Sequence, residues 1–199
     1  MFDRRSVLCA CAALAVATVA AAGEQASRVA ASSGEAAREW ALRVDRLLAT
    51  GELAVRLTRD DTMIPGRRVE RLAQRHRGVP VFGGELVRQG DSASTLSVFG
   101  TLYEGIGVEV APRLGPAEVE ARLAERGGRP FGPRGGPELG VLPLADGTYR
   151  LAWRVRAFFE KDWDVRQVFL DAATGAVLRE HSDLRKQSAG LGTGVRGDK

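Results

Sequence analysis

The sequence predicts an α+β fold made of two small units, each a helix followed by antiparallel strands. Two observations carry this expectation. Trp40, Val44, Leu47 and Leu48 form one helical stripe, and short alternating runs follow it. Gly115-Pro116 opens a second helix, and a second set of alternating runs follows that one. Helix and strands therefore occur in blocks rather than in strict alternation, which is the α+β pattern.

Taken in order, residues 1–22 read as a secretory signal. Arg4 and Arg5 give a positive start, Val7 to Ala22 is a continuous alanine-rich apolar run, and the small residues Ala20 and Ala22 place cleavage after Ala22. The run is too short to be read as a membrane-spanning helix. Asp3-Arg-Arg-Ser-Val-Leu8 also resembles a twin-arginine signal, so the export route stays open between that and an ordinary Sec leader. The expected location is secreted, extracellular or periplasmic, without stable membrane insertion after cleavage. Residues 23–34 read as a loose linker.

The first unit spans residues 35–110. Its helix runs from Glu35 to Ala49 and stops at Gly51. Four strands are expected: Leu53 to Thr58, with Val55 and Leu57 on one side; Arg67 to Arg77; Val79 to Gln89, interrupted at Gly83-Gly84; and Thr95 to Tyr103. The second unit spans residues 111–183. Its helix covers Pro116 to Arg126, and residues 127–137, with eight glycines and prolines, read as a flexible loop. Glu138 to Leu144 and Thr148 to Phe159 flank Asp146-Gly147, a two-residue hairpin signal. In the second of these, Leu151, Trp153, Val155, Ala157 and Phe159 alternate with arginines. Trp163 to Leu170, a turn at Asp171 to Gly175, and a return strand at Ala176 to Glu180 complete the unit. Trp153, Phe158, Phe159, Trp163 and Phe169 read as core, with Phe158 and Trp163 open to partial exposure in a docking patch.

Composition points away from most enzymes. Both cysteines, Cys9 and Cys11, lie in the leader, so no disulfide is expected in the mature chain. The histidines are His76 and His181 alone, and there is no His-Glu-x-x-His, phosphate loop or Gly-x-Ser-x-Gly elbow. No catalytic, cofactor-binding or metal-ligating residue is assigned. The formal charge is +4, and losing Asp3, Arg4 and Arg5 with the leader brings it to about +3, a mild value. Arg67, Arg71, Arg75 and Arg77 share one face of an extended strand. No aromatic is interleaved there, so a solvated face is favoured over nucleic-acid binding, and docking of an acidic partner stays open. Gly83-Gly84 reads as a bulge or close-packing point, because no helix N-terminus follows it.

Three segments resemble the propeptides of thermolysin-like secreted zinc metalloproteases. Gln74-Arg-His-Arg-Gly-Val-Pro-Val-Phe-Gly-Gly-Glu-Leu-Val87 is similar to the fungalysin/thermolysin propeptide (FTP) motif, carried by Gly78, Val79, Pro80, Val81, Phe82, Gly83 and Gly84. Tyr149 to Val155 with Val168 to Leu178 resembles a PepSY domain, with Asp171 and Gly175 in its turn. Gly192-Thr-Gly-Val-Arg-Gly-Asp-Lys199 resembles the opening of a mature protease of that family. Ala73 and His76 depart from it, standing where Gln and an aromatic residue are commoner.

The resemblance implies an FTP-like unit over 35–110, a PepSY-like unit over 111–183, and a processing segment with the start of mature-enzyme-like sequence over 184–199. It implies an intramolecular chaperone and inhibitor whose partner is a protease catalytic domain, in cis or in trans. Zinc would belong to that domain, which would begin where this sequence stops. Such enzymes cut before bulky apolar residues, so Leu184 and Leu191 are the candidate processing positions. His181 reads as an exposed tail histidine rather than a ligand to a partner's zinc. Two other roles stay open: a stand-alone secreted inhibitor or chaperone acting in trans, and a cell-envelope binding domain.

Overall fold

The computed structural model describes residues 26–32 and 34–183. The signal segment with Ala22, and the candidate processing positions Leu184 and Leu191, lie outside these residues.

Strand β1, Ala26–Ala31, corrects the expectation of a loose linker. Its alanines and serine carry almost no strand propensity. What makes it a strand is its docking site: it pairs antiparallel along Val98 to Tyr103 and points Val29 and Ala31 into the core. Helix α1, Gly34–Ala49, buries Val44 and packs Trp40, Leu47 and Leu48 on the same core. Glu35 in its first turn and Arg46 in its last suit the helix dipole.

Strands β2 (Leu53–Asp60), β3 (Arg68–His76), β4 (Val79–Gly90) and β5 (Thr95–Tyr103) follow as an antiparallel meander. With β1 they give the order β2-β3-β4-β5-β1. One face carries Val29, Leu53, Leu72, Leu86, Val98 and Leu102 against α1. A bulge at Arg56 corrects the expected pairing of Val55 with Leu57 on one side. Val55 stands opposite Leu72 and Leu57 opposite Arg71, so the extra residue sends them to opposite faces.

Helix α2, Pro116–Glu125, buries Val119 and Leu123, and the Glu118 carboxylate accepts a hydrogen bond from Gly115 N–H at 2.8 Å. The glycine-rich stretch after it is not wholly a loop. Gly128–Pro130 forms β6 against the far end of β8. Glycine is required there, since a Cβ on Gly128 would lie 2.9 Å from Leu123 and from the Phe159 ring. Strands β7 (Glu138–Pro143), β8 (Tyr149–Phe159), β9 (Asp164–Asp171) and β10 (Val177–Ser182) follow, adjacent in space in that order. The β7–β8 connection is longer than two residues. Leu144 N–H bonds to Thr148 O, Gly147 N–H bonds to Leu144 O, and the Asp146 carboxylate accepts from Thr148 N–H and Oγ1–H.

The expected alternation in β8 holds. Leu151, Trp153, Val155, Ala157 and Phe159 face α2 in one core, and Trp153 Nε1–H donates to Leu114 O at 3.0 Å. Ala152 is buried on the other face, among Phe82, Leu142 and Phe169. The ten strands of the described residues are one connected assembly because β4 belongs to both parts: it pairs with β3 and β5, and at Val81 it runs parallel to Val141 of β7. The class is α+β, dominated by strand.

Candidate functional site

The segment Gly78 to Gly84 is where the chain passes from one part of the sheet to the other. Arg77 (φ 48°) and Gly78 (φ 89°) both adopt positive φ, which makes a two-residue hairpin turn between His76 and Val79. Val79 packs on the α2 core, and Val81 makes the pairing to β7. Phe82 meets Phe169 edge-on at 5.4 Å, with the Arg154 guanidinium 4.7 Å from the centre of its ring. Gly140 opposite has no side chain; a Cβ there would lie 2.6 Å from the Phe82 ring.

At Gly83-Gly84 the β3–β4 ladder opens. Ala73 pairs with Glu85 and Arg75 with Pro80, so Val81 to Gly84 stand opposite Gln74 alone. The Gln74 side chain fills the gap. Its Nε2–H donates to Tyr103 O at 2.6 Å, and its Oε1 accepts from Tyr103 N–H at 2.9 Å. A buried amide thus takes the place of a missing stretch of backbone, satisfying a donor and an acceptor of β5. Tyr103 meets Tyr149 edge-on at 6.3 Å, and Tyr149 Oη–H donates to Glu104 O at 2.7 Å. His76 Nε2 lies 3.0 Å from Val108 O, tying the hairpin to the linker that leads to α2. The seven motif residues are brought together as a junction. Sequence reasoning missed Gln74 and Tyr103 as its centre, although an uncharged amide among the arginines of β3, facing a Gly-Gly pair, was the available signal.

Asp171 and Gly175 close the β9–β10 turn. Asp171 Oδ1 accepts from Ala173 N–H, Thr174 N–H and Thr174 Oγ1–H at 2.9–3.1 Å. Burial raises the carboxyl pKa, but these bonds together, with the Arg150 charge behind them, outweigh it and hold the group below its ordinary value. Gly175, at φ 75°, accepts the turn geometry, and a Cβ there would lie 3.2 Å from Leu114 and 3.4 Å from Arg122.

At the β8–β9 end, Trp163 is not core. It is 75% exposed, at φ 50°, in the turn closed by its N–H to Glu160 O. Phe158 is half-buried between Phe131 and Trp163, with ring centres 5.9 and 5.3 Å away. Below this end, Arg166 is a hub. It bonds Asp164 at 2.9 Å, Glu180 at 2.7 Å and Asp162, and its guanidinium lies 4.6 Å from the centre of the Phe159 ring. The hydrogen bonds it donates to the Glu180 and Asp164 carboxylates hold its pKa above the ordinary arginine value. Arg166→Lys should cost about 1–2 kcal/mol in urea unfolding, since an ammonium cannot reproduce a planar three-carboxylate fork. A loss as small as that of an exposed surface charge would contradict this.

The expected arginine stripe is only partly assembled. Arg71 and Arg75 are exposed on β3, but Arg67 precedes the strand with its Nε buried, and Arg77 sits in the turn paired with Glu109. His181 is exposed and stacks on Phe169 at 6.0 Å. Among the described residues no group of three His, Cys, Asp or Glu is placed to hold a metal ion. The described geometry consists of turns, ladders and packed faces.

Against known proteins, no family model matches the chain. Three thermolysins are similar to it, from Alicyclobacillus acidocaldarius subsp. acidocaldarius, Bacillus caldolyticus and Bacillus sp. (strain EA1). Each is 30% identical over 142 residues, covering 66% of this chain and 26% of the relative. The chain therefore spans about a quarter of the length of the curated relatives it matches. A solved structure described as the Bacillus megaterium YpeB C-terminal domain aligns over 73% of this chain and 63% of its own, with 11% identity and a TM-score of 0.41, too loose to define a common fold.

Proposed function

We propose that this chain is a prosegment of a thermolysin-like metalloprotease precursor, which binds the catalytic domain, assists its folding and restrains it until cleavage. The observation that carries the reading is the confinement of the similarity: 30% identity to thermolysins, over 26% of their length, in a sequence without His-Glu-x-x-His. On this reading residues 35–110 are the FTP-like unit, which β1 extends, and 111–183 the PepSY-like unit, with the Gly78 to Gly84 motif as their shared junction. A signal cut after Ala22 delivers the chain to the outside, and cleavage at Leu184 or Leu191 releases the partner.

The physics fits such a role. A large protease rich in non-local contacts folds over a high barrier, and a bound template lowers it. Covalent attachment supplies a millimolar-scale effective concentration, which cleavage removes. The test is to refold denatured mature Bacillus caldolyticus thermolysin with and without the full chain. The expected result is a higher yield of folded enzyme whose peptidase activity stays low until the chain is digested. No change in yield and no inhibition at large molar excess would overturn the reading.

A further inference from the structure

The sheet β2-β3-β4-β5-β1 has two unlike faces. On the α1 side the strand arginines are paired: Arg88 bonds Glu70 at 2.7 Å and Asp45 at 2.5 Å, and Arg68 bonds Asp60 at 3.3 Å. Among the described residues the other face carries no helix. The register runs Leu57, Arg71, Val87, Phe99, Ala30 across all five strands, so these side chains lie in one row. Leu57 is 37% and Phe99 43% exposed, and Val87 is half-buried between them. Arg59 and Arg28 lie on the same face, two residues along from Leu57 and Ala30. The bulge brings Arg56 to it as well, and Arg56 takes the Glu85 carboxylate. Among the described residues Arg28, Arg59 and Arg71 have no carboxylate partner, and a shallow cavity of about 470 Å³ lies between Arg56, Leu57, Arg59 and Arg71.

We infer that this helix-free face docks an acidic protein surface, with carboxylates meeting Arg28, Arg59 and Arg71 around an apolar contact on Leu57, Val87 and Phe99. The inference deepens the proposed function and rests on it for the partner's identity: the face would be the one turned to the catalytic domain. The charge excludes the nearer occupants. A second copy presents the same uncompensated arginines. The chain's own residues 184–199 carry Arg185, Lys186, Arg196 and Lys199 against Asp198 alone. Single-stranded nucleic acid wants a series of stacking rings, and Phe99 is the one large exposed ring on this face among the described residues. Desolvated carboxylate–guanidinium pairs around an apolar centre are what a protein partner supplies.

The test compares the full chain with Arg59→Glu/Arg71→Glu and with Arg134→Glu, an exposed arginine in the β6–β7 connection. Circular dichroism confirms that each variant folds. Probes are immobilised mature Bacillus caldolyticus thermolysin, poly-L-glutamate, single-stranded DNA and phosphatidylserine vesicles, each over a salt series. The expected result is thermolysin binding weakened about 30-fold or more by the double reversal, with a flatter salt dependence, while Arg134→Glu stays within about twofold. Thermolysin binding that ignores the double reversal overturns the inference and leaves the proposed function standing. No thermolysin binding, with reversal-sensitive capture of poly-L-glutamate, overturns the proposed function and keeps the acidic docking face. Failure to bind both, or tighter reversal-sensitive binding to DNA or vesicles than to poly-L-glutamate, overturns the face as a protein-docking site.

Discussion

Gly84→Ala is expected to lower stability by about 2–4 kcal/mol, read as a drop in the urea midpoint at unchanged m-value. The cause is space rather than backbone strain. A Cβ on Gly84 would lie 2.6 Å from Gln74 Oε1 and 2.7 Å from Gln74 Cβ, inside any tolerable contact. Gln74 cannot yield without releasing both of its bonds to Tyr103, which leaves a buried donor and acceptor of β5 unpaired. Gln74→Ala alone should cost about 2 kcal/mol for that reason. The double variant should then cost less than the sum, by about 1 kcal/mol, because removing the amide makes room for the new methyl. Gly83→Ala is the control next door. At φ 86° it carries a backbone cost of about 1–2 kcal/mol, but its nearest neighbour, Tyr103 Oη, is 3.3 Å away. Strict additivity of Gly84→Ala and Gln74→Ala would show that the amide is not what fills the junction.

Asp171→Ala should cost about 2–3 kcal/mol, since two turn N–H groups lose their acceptor. Asp171 also makes the fold acid-sensitive. Its folded pKa lies below the unfolded value, so its contribution is fully present above the unfolded pKa near 3.8 and is lost as pH falls through the lower folded value. Asp146 and Asp91, also held below the ordinary value by turn hydrogen bonds, add to the same acid limb. Unfolding free energy measured from pH 7 downward should therefore decline below about pH 4. Asp171→Asn keeps an acceptor but not the charge, so it should lower the neutral plateau by about 1 kcal/mol and flatten the acid limb. An Asn variant with the wild-type acid slope would place the sensitivity elsewhere.

Much of this fold could be read residue by residue. The stripes of α1 and α2 are amphipathic, and the alternation in β8 is strong enough to survive a second buried face at Ala152. What could not be read has a tertiary cause. The alanines and serine of Ala26 to Ala31 carry almost no strand propensity, and the segment becomes a strand because β5 presents an open edge. Gly128 looks like a loop residue, yet it is needed where strand and helix come too close for a side chain. The parity change at Arg56 and the outward swing of Trp163 arise from a bulge and a turn that no periodicity announces. The motif around Gly78 to Gly84 was visible, but its purpose was not. The seven residues look like a site because they are unusual, and they are unusual because one strand must serve both parts of the sheet.

The position of β1 has a consequence for how the chain is made. Strand β1 is synthesised before every other described element, but among the described residues the strand it pairs with is β5, which ends at Tyr103. Strands β2 to β5 are joined by short turns and can zip as neighbours, whereas β1 must wait through two-thirds of a hundred residues of intervening chain before its ladder exists. The first described strand to be made is thus the last to lock into its half of the sheet. It acts as a completion latch: a nascent chain interrupted anywhere before residue 95 leaves this end unfastened, with Val29 and Ala31 outside the core they are meant to close.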